Sequence, residues 1–128
     1  MKCDCVIDSY AWVEYFRGSA RGAKARDYIE SGSVATSAIT IAEMQEKYLR
    51  EKWRHFAEDL SFIMTRSTLI PIDRIIAQAA GQINYSRKRV RKDWGMADSI
   101  VLATARELSA RVLTGDPHFK DLPEAILI

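Results

Sequence analysis

Short apolar runs along the chain alternate with longer segments in which apolar residues recur every three or four positions. The short runs predict strands at 6–7, 34–37, 69–72, 111–114 and 125–128. The longer spacing predicts helices at 9–17, 23–31, 40–51, 75–86 and 96–108, and residues 53–65 either prolong the third helix or form another. Because strands alternate with helices, we expect an α/β fold with a mainly parallel sheet that is covered on both faces.

Acidic residues stand where these elements begin and end. Asp8, Asp73 and Asp116 follow predicted strands, and Glu43 and Asp98 lie in the first turns of predicted helices. In parallel sheets, ligands bind outside the carboxyl ends of the strands, at the point where the strand order reverses. We therefore expect several of these carboxylates to meet at one edge of the sheet.

Helix capping is the alternative explanation for each acid taken singly, because the N-terminus of a helix favours Asp and Glu. Thr40 and Glu43 have the spacing of a capping box. Asp116 precedes Pro117, and proline suits the first position of a helix. Asp8 has the position of a cap for the helix that contains Trp12. Capping alone therefore accounts for any one of these side chains.

A cluster of such acids has a different consequence. Two like charges about 4 Å apart repel by ~4 kcal/mol at an effective dielectric constant near 20, so the cluster would favour a bound cation. Carboxylate ligands without cysteine suit Mg²⁺ or Mn²⁺, ions that commonly contact phosphate oxygens. The predicted chemistry is hydrolysis of a phosphodiester bond.

Composition limits the class of protein more than its function. The 128 residues are 48% hydrophobic and 28% charged, which is typical of a globular protein, and we expect residues 1–128 to form a single domain. No segment resembles a signal peptide or a membrane span, so we expect a cytoplasmic protein. Cys3 and Cys5 are interpreted as buried thiols on one strand face rather than zinc ligands. The net charge of +2 is too small to indicate a nucleic-acid partner.

Four segments together resemble a known family. They are VIDSYAWVEYF at 6–16, SAITIAEM at 37–44, GMADSIVLATA at 95–105 and VLTGDPHF at 112–119. In this order, and over nearly the whole chain, they resemble the four blocks of PIN-domain nucleases, most closely the VapC toxins. The resemblance implies a PIN-like three-layer α/β/α sandwich with five strands in the order 3-2-1-4-5.

The resemblance also implies a set of site residues. The catalytic acids would be Asp8, Glu43, Asp98 and Asp116, with Asp8, Asp98 and Asp116 as metal ligands. Thr114 and Ser9 would support the site. Asp73 has no counterpart in the family pattern, so we assign it to helix capping. Tyr10 departs from the pattern, because many members carry Ser or Asn at this position.

The activity implied by the resemblance is that of an endoribonuclease that depends on Mg²⁺ or Mn²⁺ and hydrolyses RNA to leave a 5′-phosphate and a 3′-hydroxyl. The implied biological role is the toxin of a type II toxin–antitoxin pair. Such a toxin would form a homodimer, and a VapB-like antitoxin would silence it by placing its tail in the acidic groove. A PIN-domain nuclease of RNA processing and a non-catalytic PIN-like binding module are the alternatives.

Basic residues offer a path for RNA just before the third of these segments. Five of six residues are cationic at 87–92: Arg87, Lys88, Arg89, Arg91 and Lys92. They either contact RNA phosphates or form a solvated helix end. Trp94 either stacks on a base or, as we prefer, packs on the helix that carries Asp98. His118 is interpreted as a surface or substrate-side residue, because a metal-activated water requires no histidine base.

Other enzyme classes fit the sequence less well. An aspartyl phosphatase would need a second Asp two residues after Asp8, where the chain has Tyr10. Neither a GxGxxG nor a GxxxxGK[ST] phosphate loop is present.

Overall fold

A computed structural model describes residues 3–128 as a five-stranded parallel sheet with helices on both faces. The strand order is β3-β2-β1-β4-β5, as the resemblance of the four segments implies. The strands are β1 (Cys5–Ile7), β2 (Val34–Ser37), β3 (Thr68–Ile70), β4 (Arg111–Thr114) and β5 (Ala125–Leu127). The helices are α1 (Ser9–Arg17), α2 (Ala20–Ser31), α3 (Ala38–Glu51), α4 (Phe56–Arg66), α5 (Arg74–Lys88) and α6 (Met96–Glu107).

The order of the strands reverses beside β1. The chain runs outward from β1 through β2 to the edge strand β3, then crosses back to β4 on the other side of β1. Ile7 of β1 pairs with Leu113 of β4, so the segments that follow these two residues leave the same edge of the sheet side by side. This is the position at which open α/β sheets bind ligands.

Alternation of side chains along β1 builds a core on each face of the sheet. Cys5 and Ile7 pack with Trp12 and other residues of α1–α4, whereas Val6 packs with Leu102 and other residues of α6. Cys3 precedes the strand and packs on the Val6 side, so the prediction that Cys3 and Cys5 share a face was wrong. Both thiols are free and buried, as predicted.

The start of α3 corrects the predicted capping box. The helix begins at Ala38 because the Ser37 hydroxyl accepts a hydrogen bond from the Ile39 amide at 3.3 Å. Thr40 therefore lies inside the helix and is fully buried, so it is not the cap, and the pairing with Glu43 does not form. Glu43 lies one turn further along the helix than predicted, and its side chain takes no part in capping α3.

Other boundaries differ from the predictions through local backbone geometry. Lys52 adopts a left-handed conformation with φ of 60° and ends α3, so α4 is a separate helix. Strand β3 ends at Ile70, because Pro71 has no amide hydrogen for the ladder. Its edge position agrees with the prediction from that proline. Among the described residues, no helix is both long and apolar enough to cross a membrane.

Candidate active site

Asp8 lies directly after β1 and is only 7% exposed. Its carboxylate accepts a hydrogen bond from the Ala11 amide at 2.9 Å, so it caps α1 as predicted. It is also hydrogen-bonded by the side chain of Thr114. Burial raises the pKa of Asp8 to about 7, and the nearby charges of Asp116 and Glu43 add to this effect. This carboxyl is therefore held in a place that disfavours its charged form.

Glu43 and Asp98 approach the same place from two helices. The Ser9 hydroxyl donates to Glu43 at 3.3 Å, and the Gly95 amide donates to Asp98 at 3.1 Å. Burial raises the pKa of both carboxyls, and the charge of Asp98 raises that of Glu43 further. The hydrogen bond from Ser9 to Glu43 is consistent with the predicted role of Ser9 as a support of the site.

Asp116 follows β4 and begins a short 3₁₀ turn, Pro117–Phe119. Its carboxylate accepts from the His118 amide at 2.9 Å, and its own amide donates to the Thr114 hydroxyl at 2.9 Å. Thr114 therefore contacts both strand-end acids and fixes their relative position. Asp116 therefore caps the 3₁₀ turn and also lines the cavity with the other acids.

The four acids predicted from the sequence line one cavity of about 340 Å³: Asp8, Glu43, Asp98 and Asp116. Asp73 does not line it; its carboxylate accepts from the Ile76 amide at 2.9 Å and caps α5. The assignment of Asp73 to capping is confirmed. The fold thus separates one strand-end acid from the others, as the sequence pattern predicts.

Tyr10 also lines the cavity, and its ring lies against the backbone of Gly115. A Cβ atom at Gly115 would lie 2.1 Å from the Tyr10 ring, so no larger residue fits there without moving Tyr10. Arg21 places its guanidinium 5.9 Å from the centre of the same ring. The departure at Tyr10 is therefore accommodated by a glycine in the last of the four segments.

Basic residues also line the cavity, which the sequence reasoning missed, and two of them pair with acids that line it too: Arg17 with Glu14 at 3.8 Å and Arg50 with Glu46 at 3.1 Å. Arg17, Lys47 and Arg50 line it together with the acids. Glu43, Lys47 and Arg50 are four and three residues apart, a spacing that places them on one face of a helix. That spacing is the signal by which these cations were identifiable from the sequence.

The basic segment at 87–92 is divided by the fold. Arg87 and Arg91 pair with Asp121 at 2.7 and 3.2 Å, and the Arg87 guanidinium lies 4.4 Å from the centre of the Trp94 ring. Three exposed cations remain in this segment: Lys88, Arg89 and Lys92. Trp94 is fully buried and donates to Ser99 of α6 at 2.7 Å, which confirms its predicted packing role.

The donor set at this site suits a divalent cation. Ligand atoms of Asp98, Asp116 and His118 lie within 4.8 Å of one another. Carboxylate oxygens are the preferred ligands of hard divalent ions, and such an ion would offset the burial and, to a lesser degree, the repulsion that raise the pKa values of Asp8 and Asp98. The residues present therefore fit the metal that the sequence predicts.

The model of the PIN domain matches residues 5–125, a span that includes all four acids. The chain belongs to the PIN domain family. Among curated proteins, none matches the sequence significantly.

Solved structures with the same PIN fold include several toxins and toxin complexes. A toxin–antitoxin complex from Klebsiella pneumoniae matches with a TM-score of 0.77 at 19% identity, over 96% of each chain. VapC20 from Mycobacterium tuberculosis, described as a sarcin–ricin loop cleaving toxin, matches with a TM-score of 0.73 at 17% identity, over 94% of this chain and 96% of its own. VapBC2 from Rickettsia felis, bound to promoter DNA, matches with a TM-score of 0.74 at 17% identity, over 97% of this chain and 96% of its own.

We expect the metal-free PIN domain to lose stability as the pH rises from about 4 to 7. Folding raises the pKa of Asp8 from 3.8 to about 7, so the folded state binds more protons than the unfolded state in this interval. The free energy of unfolding then falls as pH rises, by about 2 kcal/mol between pH 5 and pH 8. Urea unfolding in EDTA at a series of pH values measures this slope.

The Asp8→Asn variant is the control for this pH dependence and should reduce the slope, because Asp8 has the most strongly raised pKa, while the raised pKa values of Glu43 and Asp98 keep a smaller slope of the same sign. Asp121, whose pKa is lowered by Arg87, loses its contribution only as the pH falls below its ordinary value of 3.8. A wild-type stability that is constant or rises between pH 5 and pH 8 would contradict the raised pKa of Asp8.

Proposed function

We propose that this protein is a divalent-metal-dependent endoribonuclease that hydrolyses phosphodiester bonds of RNA. The observation that carries the proposal is the convergence of Asp8, Glu43, Asp98 and Asp116 in one cavity, beside the reversal of strand order in a PIN fold. These side chains come from four distant parts of the chain. Capping explains the positions of Asp8, Asp98 and Asp116, but neither the position of Glu43 nor the convergence of all four.

The chain's own residues divide the work of the proposed site. Asp8, Asp98 and Asp116 would hold Mg²⁺ or Mn²⁺, and Glu43 would orient the attacking water. Thr114 keeps Asp8 and the backbone of Asp116 in register. When bound, the metal lowers the pKa of a water molecule and stabilises the charge that develops on the phosphate.

Basic residues in and near the cavity support RNA as the polymer that is cut. Lys47 lies beside the acids with no carboxylate paired to it among the described residues, and we propose it as the phosphate contact nearest the scissile bond, whereas Arg17 and Arg50 are paired with Glu14 and Glu46. Phosphate contacts supply much of the affinity for nucleic acids. Of the basic segment 87–92, we retain the exposed Lys88, Arg89 and Lys92 as further contacts, since Arg87 and Arg91 are engaged with Asp121.

We further propose that the nuclease is the toxin of a toxin–antitoxin pair, that it forms a homodimer and that an antitoxin occupies the acidic cavity. The K. pneumoniae structure is of a toxin–antitoxin complex, and this likeness of fold supports the proposal. A neighbouring gene for a small DNA-binding protein would distinguish a toxin from an RNA-processing nuclease. The size of the particle in solution, measured by light scattering, tests the dimer.

Cleavage of RNA by the purified protein tests the nuclease proposal. We expect products with 5′-phosphate ends from single-stranded or hairpin RNA in Mn²⁺ or Mg²⁺, none in EDTA, and recovery when excess metal is restored. Adaptor ligation that requires a 5′-phosphate identifies the ends. Cleavage that persists in EDTA would contradict the metal-dependent mechanism. Failure to cut any RNA with either metal would favour a non-catalytic binding module.

A further inference from the structure

His118 of the 3₁₀ turn lies beside Asp98 and Asp116, although it is not among the residues that line the cavity, and its side chain is 27% exposed. Its Nδ1 atom is buried and, within residues 3–128, has no hydrogen-bond partner. This atom lies 3.4 Å from an oxygen of Asp116 and 3.8 Å from an oxygen of Asp98. Nδ1 thus lies at ion-pairing distance from two carboxylates when the ring is charged, and in the neutral ring it is left without a geometric hydrogen bond.

The other ring nitrogen of His118 is held by a carboxylate. Nε2 lies 2.8 Å from an oxygen of the exposed Asp93, and this contact lowers the pKa of Asp93. A charged carboxylate accepts hydrogen bonds only, so Nε2 carries the hydrogen. In the neutral ring, Nδ1 then carries a lone pair directed toward Asp98 and Asp116. Metal-binding histidines have this arrangement, with one nitrogen on the metal and the other donating to a carboxylate.

The backbone amide and the backbone carbonyl of His118 are both held by hydrogen bonds. Its amide donates to Asp116 at 2.9 Å, and its carbonyl accepts from Arg87 at 2.8 Å. Arg87 is itself anchored by Asp121 at 2.7 Å and by packing on Trp94. The position of the imidazole therefore does not depend on the flexibility of a surface turn.

We propose that Nδ1 of His118 is a ligand of the metal held by Asp98 and Asp116, and that Asp93 is the positioning residue for the imidazole ring. The inference rests on the proposed metal-dependent function and adds a nitrogen donor to an oxygen site. Mg²⁺ favours oxygen ligands. Sites that include an imidazole bind transition metals instead, with an affinity that increases from Mn²⁺ through Fe²⁺ to Co²⁺. The site therefore selects Mn²⁺ or Co²⁺ over Mg²⁺.

Calorimetric titration of the RNA-free protein with MgCl₂, MnCl₂ and CoCl₂ tests this selection. In His118→Ala we expect the dissociation constant for Co²⁺ to rise by roughly tenfold or more, that for Mn²⁺ to rise less, and that for Mg²⁺ to change least. Asp93→Asn should weaken Co²⁺ binding by about tenfold, because removal of such a carboxylate partner disturbs the ligand that it orients. His55→Ala is the matched control, since His55 also pairs with a carboxylate, Asp59, away from the cavity.

Nuclear magnetic resonance of the wild-type imidazole nitrogens gives a second readout that needs no substitution at His118 or Asp93. The chain has only two histidines, so the His55→Ala spectrum assigns both. Addition of diamagnetic Zn²⁺ should shift the Nδ1 resonance of His118 and leave its Nε2 protonated. A His118 ring with both nitrogens protonated in the metal-loaded protein would overturn the proposal.

The outcomes also separate this inference from the proposed function. If Asp98→Asn loses metal affinity while His118→Ala binds all three metals as the wild type does, the histidine ligand is refuted and the acidic site stands. If the wild-type protein binds no divalent metal, both proposals fail. If His118→Ala weakens binding of all three metals equally, the nitrogen-based selection is refuted.

Discussion

The Asp98→Asn variant should cleave RNA roughly a hundredfold or more slowly than the wild type, because loss of a partner that merely orients a metal ligand already costs about 10–100-fold. Asparagine keeps the size of the side chain and an oxygen that accepts from the Gly95 amide. The substitution removes the negative charge and leaves the start of α6 capped. Initial rates on one labelled RNA, at saturating Mn²⁺, give the measurement.

The matched control for Asp98→Asn is Asp73→Asn. Asp73 also caps a helix, at the start of α5, but it lies outside the cavity, so this variant should cut RNA at the wild-type rate. Urea unfolding in EDTA should find Asp98→Asn at least as stable as the wild type, because one of several neighbouring negative charges is removed. A fully active Asp98→Asn protein, or an equal loss in Asp73→Asn, would refute the proposed site.

Gly22→Ala should destabilise the fold by about 3 kcal/mol or more, because forcing an extra methyl group into a packed interior costs roughly 1–3 kcal/mol even where side chains can move. At Gly22 the obstacle is backbone. A Cβ atom there would lie 2.1 Å from the carbonyl oxygen of Glu14, where α2 crosses α1. The clash between the new methyl group and Glu14 can be relieved only if α1 separates from α2. Because Asp8 caps α1, this separation would also disturb the site. Urea unfolding at constant pH measures the change.

Gly81→Ala provides the matched control for Gly22→Ala, because both glycines lie inside helices. Nothing lies within 4 Å of a Cβ atom at Gly81, so alanine should stabilise α5 by about 0.5–1 kcal/mol through its better helix propensity. The two variants should thus differ in sign. A Gly22→Ala protein as stable as the wild type would contradict the close contact between α1 and α2.

The order of the elements was predictable from the sequence because its signals are local. Alternation of buried side chains along β1 and the caps at Asp8, Asp73 and Asp116 involve residues only a few positions apart. The separation of Asp73 from the other acids was predicted from the resemblance of the four segments, in which Asp73 has no counterpart, and not from local signals. The predicted start of α3 failed because Ser37 and Thr40 are both capping residues, and burial of Thr40 decided between them.

What the sequence determined by itself is therefore the succession of strands and helices and the acidic residues at their ends. Only the tertiary structure decided which charges meet. It joined Arg87 and Arg91 to Asp121, turned the cations of α3 toward the acids, and placed His118 between Asp93 and the pair Asp98 and Asp116. These contacts join residues far apart in the chain, and electrostatic interactions depend on distance in space and on burial, which spacing along the sequence does not determine.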